Sequence, residues 1–200
     1  MFSLRYAIKF GSALACAVLM LGAAIAMSWS SEDVLIGDSY IDQTAEDENF
    51  GAEEILWVSS EDDEPVQESW LYFETDDIRE ALDIESADDV ESATLKIYAK
   101  DVEAEGEVEV HFYNEGFFED DIVWEGKPDY DEEVDDVIEV SEEGWCEIDA
   151  TETMKKAIEE CTTCPFSMVL VARGDASVGF ASKEDSDENV PLLTVSTIDE

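Results

Sequence analysis

The sequence predicts an all-β protein, an antiparallel β-sandwich (jelly roll) with one or two short helices. Three observations predict this class. Short apolar runs, some alternating with polar residues, recur along the chain, and acidic or Gly-containing segments separate them. Residues 32–200 have a length that fits one domain. No internal repeat and no long Pro-, Gly- or Ser-rich linker divides them.

The first 31 residues differ sharply from the rest of the chain. Arg5 and Lys9 are their only charged residues, whereas all 54 Asp and Glu residues come later. A long uncharged stretch follows, with a small-x-small pattern at residues 24–26. This pattern is typical of a signal peptide, and the stretch is also long enough to cross a bilayer if it stays uncut. We expect residues 1–31 to be a signal peptide or N-terminal membrane anchor, and the protein to be secreted or at the cell surface.

The remainder of the chain is extremely acidic. All the acidic residues lie here, and they give the whole chain a formal net charge of −44 with only 10 Lys and Arg. Such charge usually indicates disorder, but Trp, Phe, Tyr, Val, Ile and Leu recur in short runs that can build a core. We therefore expect a folded, halophilic type of surface that bound cations stabilise. Nucleic acid is excluded as a partner because phosphate binding needs Lys and Arg, and anionic polymers would require bridging divalent cations.

The apolar runs predict the elements in order along the chain. The predicted strands are residues 34–42, 55–59, 70–74, 93–99, 108–113, 137–140, 145–148, 167–172, 177–182 and 192–196. A short helical turn is predicted over residues 76–82. The main helix is predicted over residues 150–160, where Asp149 or Thr151 can cap its start. Met154, Ala157 and Ile158 then follow at helical spacing.

Seven motifs in series carry a family resemblance. They are Asp38-Ser-Tyr40-Ile-Asp42, Glu48-Asn49-Phe50-Gly51, Ser69-Trp-Leu-Tyr72-Phe73, Ser92-Ala-Thr-Leu95-Lys-Ile-Tyr98, Trp124 with Pro128, Gly144-Trp145 with Asp149 and Thr151, and Phe180-Ala-Ser182-Lys-Glu184 with Pro191-Leu-Leu193. In this order they resemble the DNRLRE domain family, a group that includes disaggregatase-related and carbohydrate-binding-module-like jelly rolls, here in an acidic archaeal-type form. The resemblance implies an extracellular module that binds cell-surface or matrix carbohydrate and is not an enzyme.

Calcium is the cofactor that the sequence suggests. Asp185, Asp187 and Asn189 alternate along a loop and offer the oxygen ligands that Ca²⁺ prefers. An EF-hand is excluded because Val190 stands where that loop needs Gly. In jelly rolls of the kind that the chain resembles, a structural calcium site joins an early strand to a late one. By their position in the resemblance, the candidate calcium ligands are Asp38, Asp42, Asp149 and Glu184. The alternative is that these carboxylates hydrogen-bond to the backbone of turns.

A sugar platform requires an exposed aromatic ring beside polar groups. Trp57, Trp70 and Trp145 fall in strand-like runs, where packing in the core is the expected role. Trp124 lies beside Glu125-Gly126-Lys127, which is typical of a loop. Trp124 and Tyr130 are therefore the predicted ligand-binding residues.

Catalytic chemistry finds little support in the sequence. His111 is the sole histidine, and its place in a strand-like run predicts a solvent-facing side chain rather than a general base. Cys146, Cys161 and Cys164 are disulfide candidates in an exported chain, and their odd number leaves one thiol free or bridging to another chain. A different class of function stays open, namely a self-associating structural subunit of an extracellular sheath, filament or surface layer.

Overall fold

The fold is known from a computed structural model that describes residues 28–31, 35–160, 165–187 and 189–198. Its strands are β1 (Ser28–Ser31), β2 (Leu35–Asp42), β3 (Ile55–Glu61), β4 (Glu64–Phe73), β5 (Val90–Ala104), β6 (Gly106–Tyr113), β7 (Val134–Val140), β8 (Gly144–Asp149), β9 (Phe166–Ala172), β10 (Ser177–Ala181) and β11 (Leu192–Thr197). Two short helices are present, α1 (Asp76–Leu82) and α2 (Thr151–Glu160). The predicted all-β fold with short helices is confirmed. Within the described ranges, neither helix has the length and apolar character needed to span a membrane.

All described strand pairs are antiparallel and form one continuous sheet, which folds into two layers. One layer has the order β2-β4-β9-β6-β7. In the other, β5 pairs with β8 along one edge and with β11 and then β10 along the opposite edge. The hairpin of β3 and β4 connects the layers, because β3 pairs with β10 over its length and with β4 only near the turn.

The main core lies between these two layers. Its residues alternate along the strands, as expected where one face of each strand is buried. They include Leu71, Phe73, Val110, Phe112, Met168 and Leu170 from the first layer, and Leu95, Ile97, Ile148, Val178, Phe180, Leu193 and Val195 from the second. The rings of Phe73 and Phe166 stack with centroids 5.3 Å apart. Burial of such side chains contributes about 1.5–3 kcal/mol each to stability.

A second, smaller cluster lies on the outer face of the first layer. Trp70 is fully buried there together with Ile41, Val169 and Val171. The connection over residues 114–133, between β6 and β7, crosses this face and buries Ile122 against them. We call this connection the covering loop. It explains why β4 and β9 are apolar on both faces.

Strand β1 falls at residues 28–31 of the predicted leader and pairs with β11, and residues 1–27 of that segment lie outside the described part of the chain, so the leader stays a prediction. Two features of the fold differ from the sequence-based expectations. Strand β5 extends to Ala104 because its later acidic side chains point to solvent. His111 is buried rather than solvent-facing, because the covering loop packs against it. The ring centroids of Tyr130 and His111 are 5.0 Å apart, and the carbonyl oxygen of Asp131 lies 3.0 Å from Nδ1 of His111.

Candidate functional site

Three carboxylates from distant parts of the chain meet at one edge of the sandwich. Asp38 comes from β2, Glu119 from the covering loop and Glu184 from the turn after β10. One oxygen from each residue lies within 4.8 Å of the others. Asp38 is fully buried, and Glu119 and Glu184 are partly buried. We call these three residues the carboxylate cluster.

The motif around Asn49 and Gly51 positions Glu119 in this cluster. The side-chain amide of Asn49 donates to the carbonyl oxygens of Glu119 at 2.7 Å and Ile122 at 3.0 Å. Gly51 lies directly against the same loop, so that a Cβ at this position would stand 2.6 Å from the carbonyl oxygen of Glu119. The backbone N–H of Asp38 donates to Oε1 of Glu119 at 2.8 Å. The close approach of the loop therefore requires glycine at residue 51.

Two buried oxygens of the cluster have no hydrogen-bond partner. They are Oδ1 of Asp38 and Oε2 of Glu184. The other Asp38 oxygen, Oδ2, accepts the backbone N–H of Lys183 at 2.8 Å. An unpaired buried carboxylate oxygen costs free energy, and native proteins nearly always pair such groups with a donor or a cation. The cluster therefore has two ligand atoms that require a proton or a metal ion.

Charge in the cluster is only partly balanced by Lys183. Its Nζ lies 3.1 Å from Oε2 of Glu119 and 3.1 Å from Oε1 of Glu184. Burial raises the pKa of Asp38 to about 8, and the backbone N–H of Lys183 opposes this rise. The charges of Glu184 and Glu119 add to it, as does the hydrogen bond that a protonated Asp38 can donate to Glu184. With all three carboxyls ionised, one ammonium leaves an excess of two negative charges, and a proton on Asp38 reduces this excess to one. Such a set of oxygen ligands suits a hard divalent cation such as Ca²⁺ or Mg²⁺.

Asp38 and Glu184 are thus the two sequence-predicted metal ligands that the fold brings together. Glu119 was not predicted, because its place depends on the path of the covering loop. In the sequence, the Asn49-Phe50-Gly51 motif indicates that another segment packs closely against this turn, but it does not indicate that this segment contains Glu119.

The fold places Asp42 and Asp149 away from the cluster, each at a turn. Asp42 accepts the backbone N–H and the hydroxyl of Thr44, both at 2.7 Å, and begins a short 3₁₀ turn. Asp149 accepts the backbone N–H of Thr151 at 3.0 Å at the start of α2. Both carboxylates therefore have the turn-backbone role that was the alternative to ion binding.

The loop of Asp185, Asp187 and Asn189 closes around Lys100. The ammonium of Lys100 contacts Oδ1 of Asp185 and lies 3.5 Å from Oδ2 of Asp187. The backbone N–H of Asn189 donates to Oδ2 of Asp185 at 3.1 Å. Burial opposes the ionised form of Asp185, yet Lys100 and the backbone donors hold the pKa of this carboxyl below its usual range. The ammonium of Lys100 therefore already occupies this loop and balances one of its two carboxylates.

The predicted sugar platform, Trp124 and Tyr130, packs against the second cluster. Both residues belong to the covering loop, and their rings are half-buried against the outer face of the first layer. The ammonium of Lys127 lies 3.9 Å from the ring centroid of Trp124 and pairs with Glu68 at 2.5 Å. The hydroxyl of Tyr130 donates to the same Glu68 carboxylate at 3.3 Å. These contacts cover one face of the Trp124 ring and fix Tyr130 in a polar network.

The expected core role holds for Trp70 but is wrong for Trp145. Trp70 is fully buried, though in the outer cluster, and Trp57 is half-buried. Trp145 is 52 % exposed. Strand β8 turns Ile148 inward, so the alternation of side chains sends Trp145 to the outer face.

Of the three cysteines considered for disulfides, only Cys146 falls in the described part of the chain. Its thiol is free there, and burial raises its pKa. Cys161 and Cys164 lie outside the described residues.

The antiparallel sandwich and the order of its elements define a class of protein, the β-sandwich domains that resemble carbohydrate-binding modules. Comparison with known families reaches the same class. The family model of Carbohydrate-binding module family 96 matches residues 32–197, and the chain belongs to this family. No curated protein matches the chain.

Proposed function

We propose that the protein is a non-catalytic, extracellular carbohydrate-binding module with a calcium ion at the carboxylate cluster. The family match over nearly the whole acidic region is the observation that carries the carbohydrate part of this proposal. It favours a binding module over a structural subunit of a sheath, filament or surface layer. The serial motifs and the apolar leader support the narrower assignment to an acidic, archaeal-type DNRLRE module outside the cell.

The calcium part rests on the unpaired oxygens of Asp38 and Glu184. A divalent ion would pair both and balance the excess charge of the carboxylate cluster, with water completing its coordination. It would also tie β2, the covering loop and the turn after β10 together. The ion thereby stabilises the folded state, because the unfolded chain lacks this arrangement.

Calorimetric titration and thermal melting test the calcium site. We expect Ca²⁺ at a hundredfold excess over its Kd to stabilise the wild-type chain by about 2.7 kcal/mol, with a weaker response to Mg²⁺. Asp38→Asn, Glu119→Gln and Glu184→Gln should each lose most of this response. Asp120→Asn is the matched control, because this exposed carboxylate neighbours Glu119 outside the cluster. Equal calcium responses in Asp120→Asn and Asp38→Asn would refute the site.

Glycan-array binding, with and without chelator, tests the function. We expect binding to at least one glycan and weaker binding when calcium is removed. A chain that binds no glycan and instead assembles with increasing concentration would overturn the proposal in favour of the structural subunit.

A further inference from the structure

Lys183 contacts the carboxylate cluster through both its backbone and its side chain. The backbone N–H donates to Oδ2 of Asp38 at 2.8 Å. The ammonium lies 3.1 Å from Oε2 of Glu119 and 3.1 Å from Oε1 of Glu184. Because 29 % of the Lys183 side chain is exposed, the ammonium can move into solvent while the backbone contact persists. The two contacts of this residue are therefore separable.

The oxygens of the cluster are not all available to a metal ion. The three carboxylates offer two oxygens each. Backbone N–H groups donate to Oδ2 of Asp38 and to Oε1 of Glu119. The ammonium of Lys183 pairs with the second oxygen of Glu119 and with one oxygen of Glu184. In the described structure this leaves only Oδ1 of Asp38 and Oε2 of Glu184 without a partner, whereas Ca²⁺ takes about six to eight oxygen ligands.

We propose that the ammonium of Lys183 competes with the metal ion for the cluster and leaves it when a divalent cation binds. The inference rests on the proposed calcium site and adds how that site selects its ion. With the ammonium in place, an ion at the two unpaired oxygens would share the Glu184 carboxylate with a second cation, which would repel it. Departure of the ammonium removes this repulsion and frees one more oxygen of Glu119 and one of Glu184.

The charge of Lys183 determines which cations can take its place. A sodium or potassium ion would exchange one positive charge for another, so the exchange adds no positive charge to the cluster. A divalent ion brings one positive charge more to the same three carboxylates. Monovalent counter-ions gather around a chain with a net charge of −44. The ammonium of Lys183 therefore makes the cluster selective for divalent cations over these counter-ions.

Calorimetric titration with calcium chloride tests the competition. We expect Lys183→Met to bind Ca²⁺ about tenfold more tightly than the wild type or better, and Lys183→Arg, which keeps the charge, to stay within about threefold of it. Lys96→Met is the matched control, because it removes an ammonium that pairs with Glu147 outside the cluster. Its calcium affinity should change less than about twofold. Lys183→Met should also bind Ca²⁺ more weakly in sodium chloride than in choline chloride of equal ionic strength, whereas the wild type should not distinguish the two salts.

Nuclear magnetic resonance of the lysine ammonium groups tests the displacement in the wild type itself. Saturation with Ca²⁺ should move or remove the Lys183 signal, which is assigned by its absence from the spectrum of Lys183→Arg. The signal of Lys96 should stay unchanged. This measurement does not require that Lys183→Met folds, and melting curves with and without calcium check the folding of each variant.

The possible results separate this inference from the proposed calcium site. Unchanged calcium affinity in folded Lys183→Met, or a Lys183 signal that calcium leaves unchanged, would overturn the competition alone. Equal gains in Lys183→Met and Lys96→Met would also overturn it, because the effect would then belong to the charge of the whole chain. Calcium binding by Lys183→Met but not by the wild type would support the competition and overturn the calcium ion of the proposed function. No binding by either protein would overturn both.

Discussion

At the scale of single residues, the buried carboxyl of Asp38 is the most informative group. Its Oδ1 has no donor, Glu184 lies beside it, and its pKa is raised to about 8. In the unfolded chain the same carboxyl would have its ordinary pKa near 3.8. Folding without a metal ion therefore takes up a proton between these two pH values, and a bound cation would replace that proton.

This linkage predicts how the metal-free protein responds to pH. With chelator present, the stabilising effect of protonated Asp38 is full below about pH 4 and is lost as pH rises to about 8. Thermal melting of wild type and Asp38→Asn over this range should show a decline in the wild type that the variant partly lacks. Asp120→Asn should decline like the wild type. Parallel curves for wild type and Asp38→Asn would contradict the raised pKa.

The residue scale also shows what sequence reasoning could reach. Asp38 and Glu184 could be predicted as metal ligands, because the series of family motifs gives their positions in the strand order. Glu119 could not, since the path of the covering loop places it. The exposure of Trp145 was accessible from the sequence, because alternation along β8 puts Trp145 on the same face as Glu147 and Asp149 and opposite to Ile148.

At the scale of elements, the covering loop links the outer cluster to the carboxylate cluster. Ile122 is buried on the face around Trp70, and Glu119 faces Asp38. The side-chain amide of Asn49 holds the loop at these two contacts by donating to the carbonyl oxygens of Glu119 and Ile122. A loop between β6 and β7 was implied by the predicted strands, but its packing on the sheet was not. The two-sided burial of β4 and β9 is its signature in the sequence.

Gly51→Ala tests this element without removing a ligand. The added Cβ would stand 2.6 Å from the Glu119 carbonyl oxygen, so the loop must shift. We expect a loss of about 1–3 kcal/mol in the free energy of unfolding and a weaker calcium response in calorimetry. Gly106→Ala is the matched control, because its Cβ would stand 2.7 Å from that of Ala176, elsewhere in the sandwich. It should lower stability alone, and equal effects of both variants on calcium affinity would refute the role of the loop.

At the scale of the whole molecule, a dense negative surface encloses an apolar interior. The two core clusters account for folding despite a net charge of −44, which composition alone would associate with disorder. The acidic composition favours disorder, and the recurring apolar runs favour a folded core. The periodicity of these runs predicted that the chain folds. The free energy of folding must still exceed the mutual repulsion of the carboxylates, which counter-ions reduce.

Monovalent salt and calcium should therefore stabilise the protein by separable routes. Raising NaCl from about 0.01 M to 1 M shortens the screening length from about 30 Å to about 3 Å, so the melting temperature of the chelated wild type should rise by several degrees. Because this effect belongs to the whole surface, Glu184→Gln should keep it and lose only the response to calcium. Circular dichroism melts of both proteins under the two titrations provide the measurement. A melting temperature that does not respond to NaCl would show that surface repulsion is not a significant cost to folding, and loss of the NaCl response in Glu184→Gln would show that the two effects share one site.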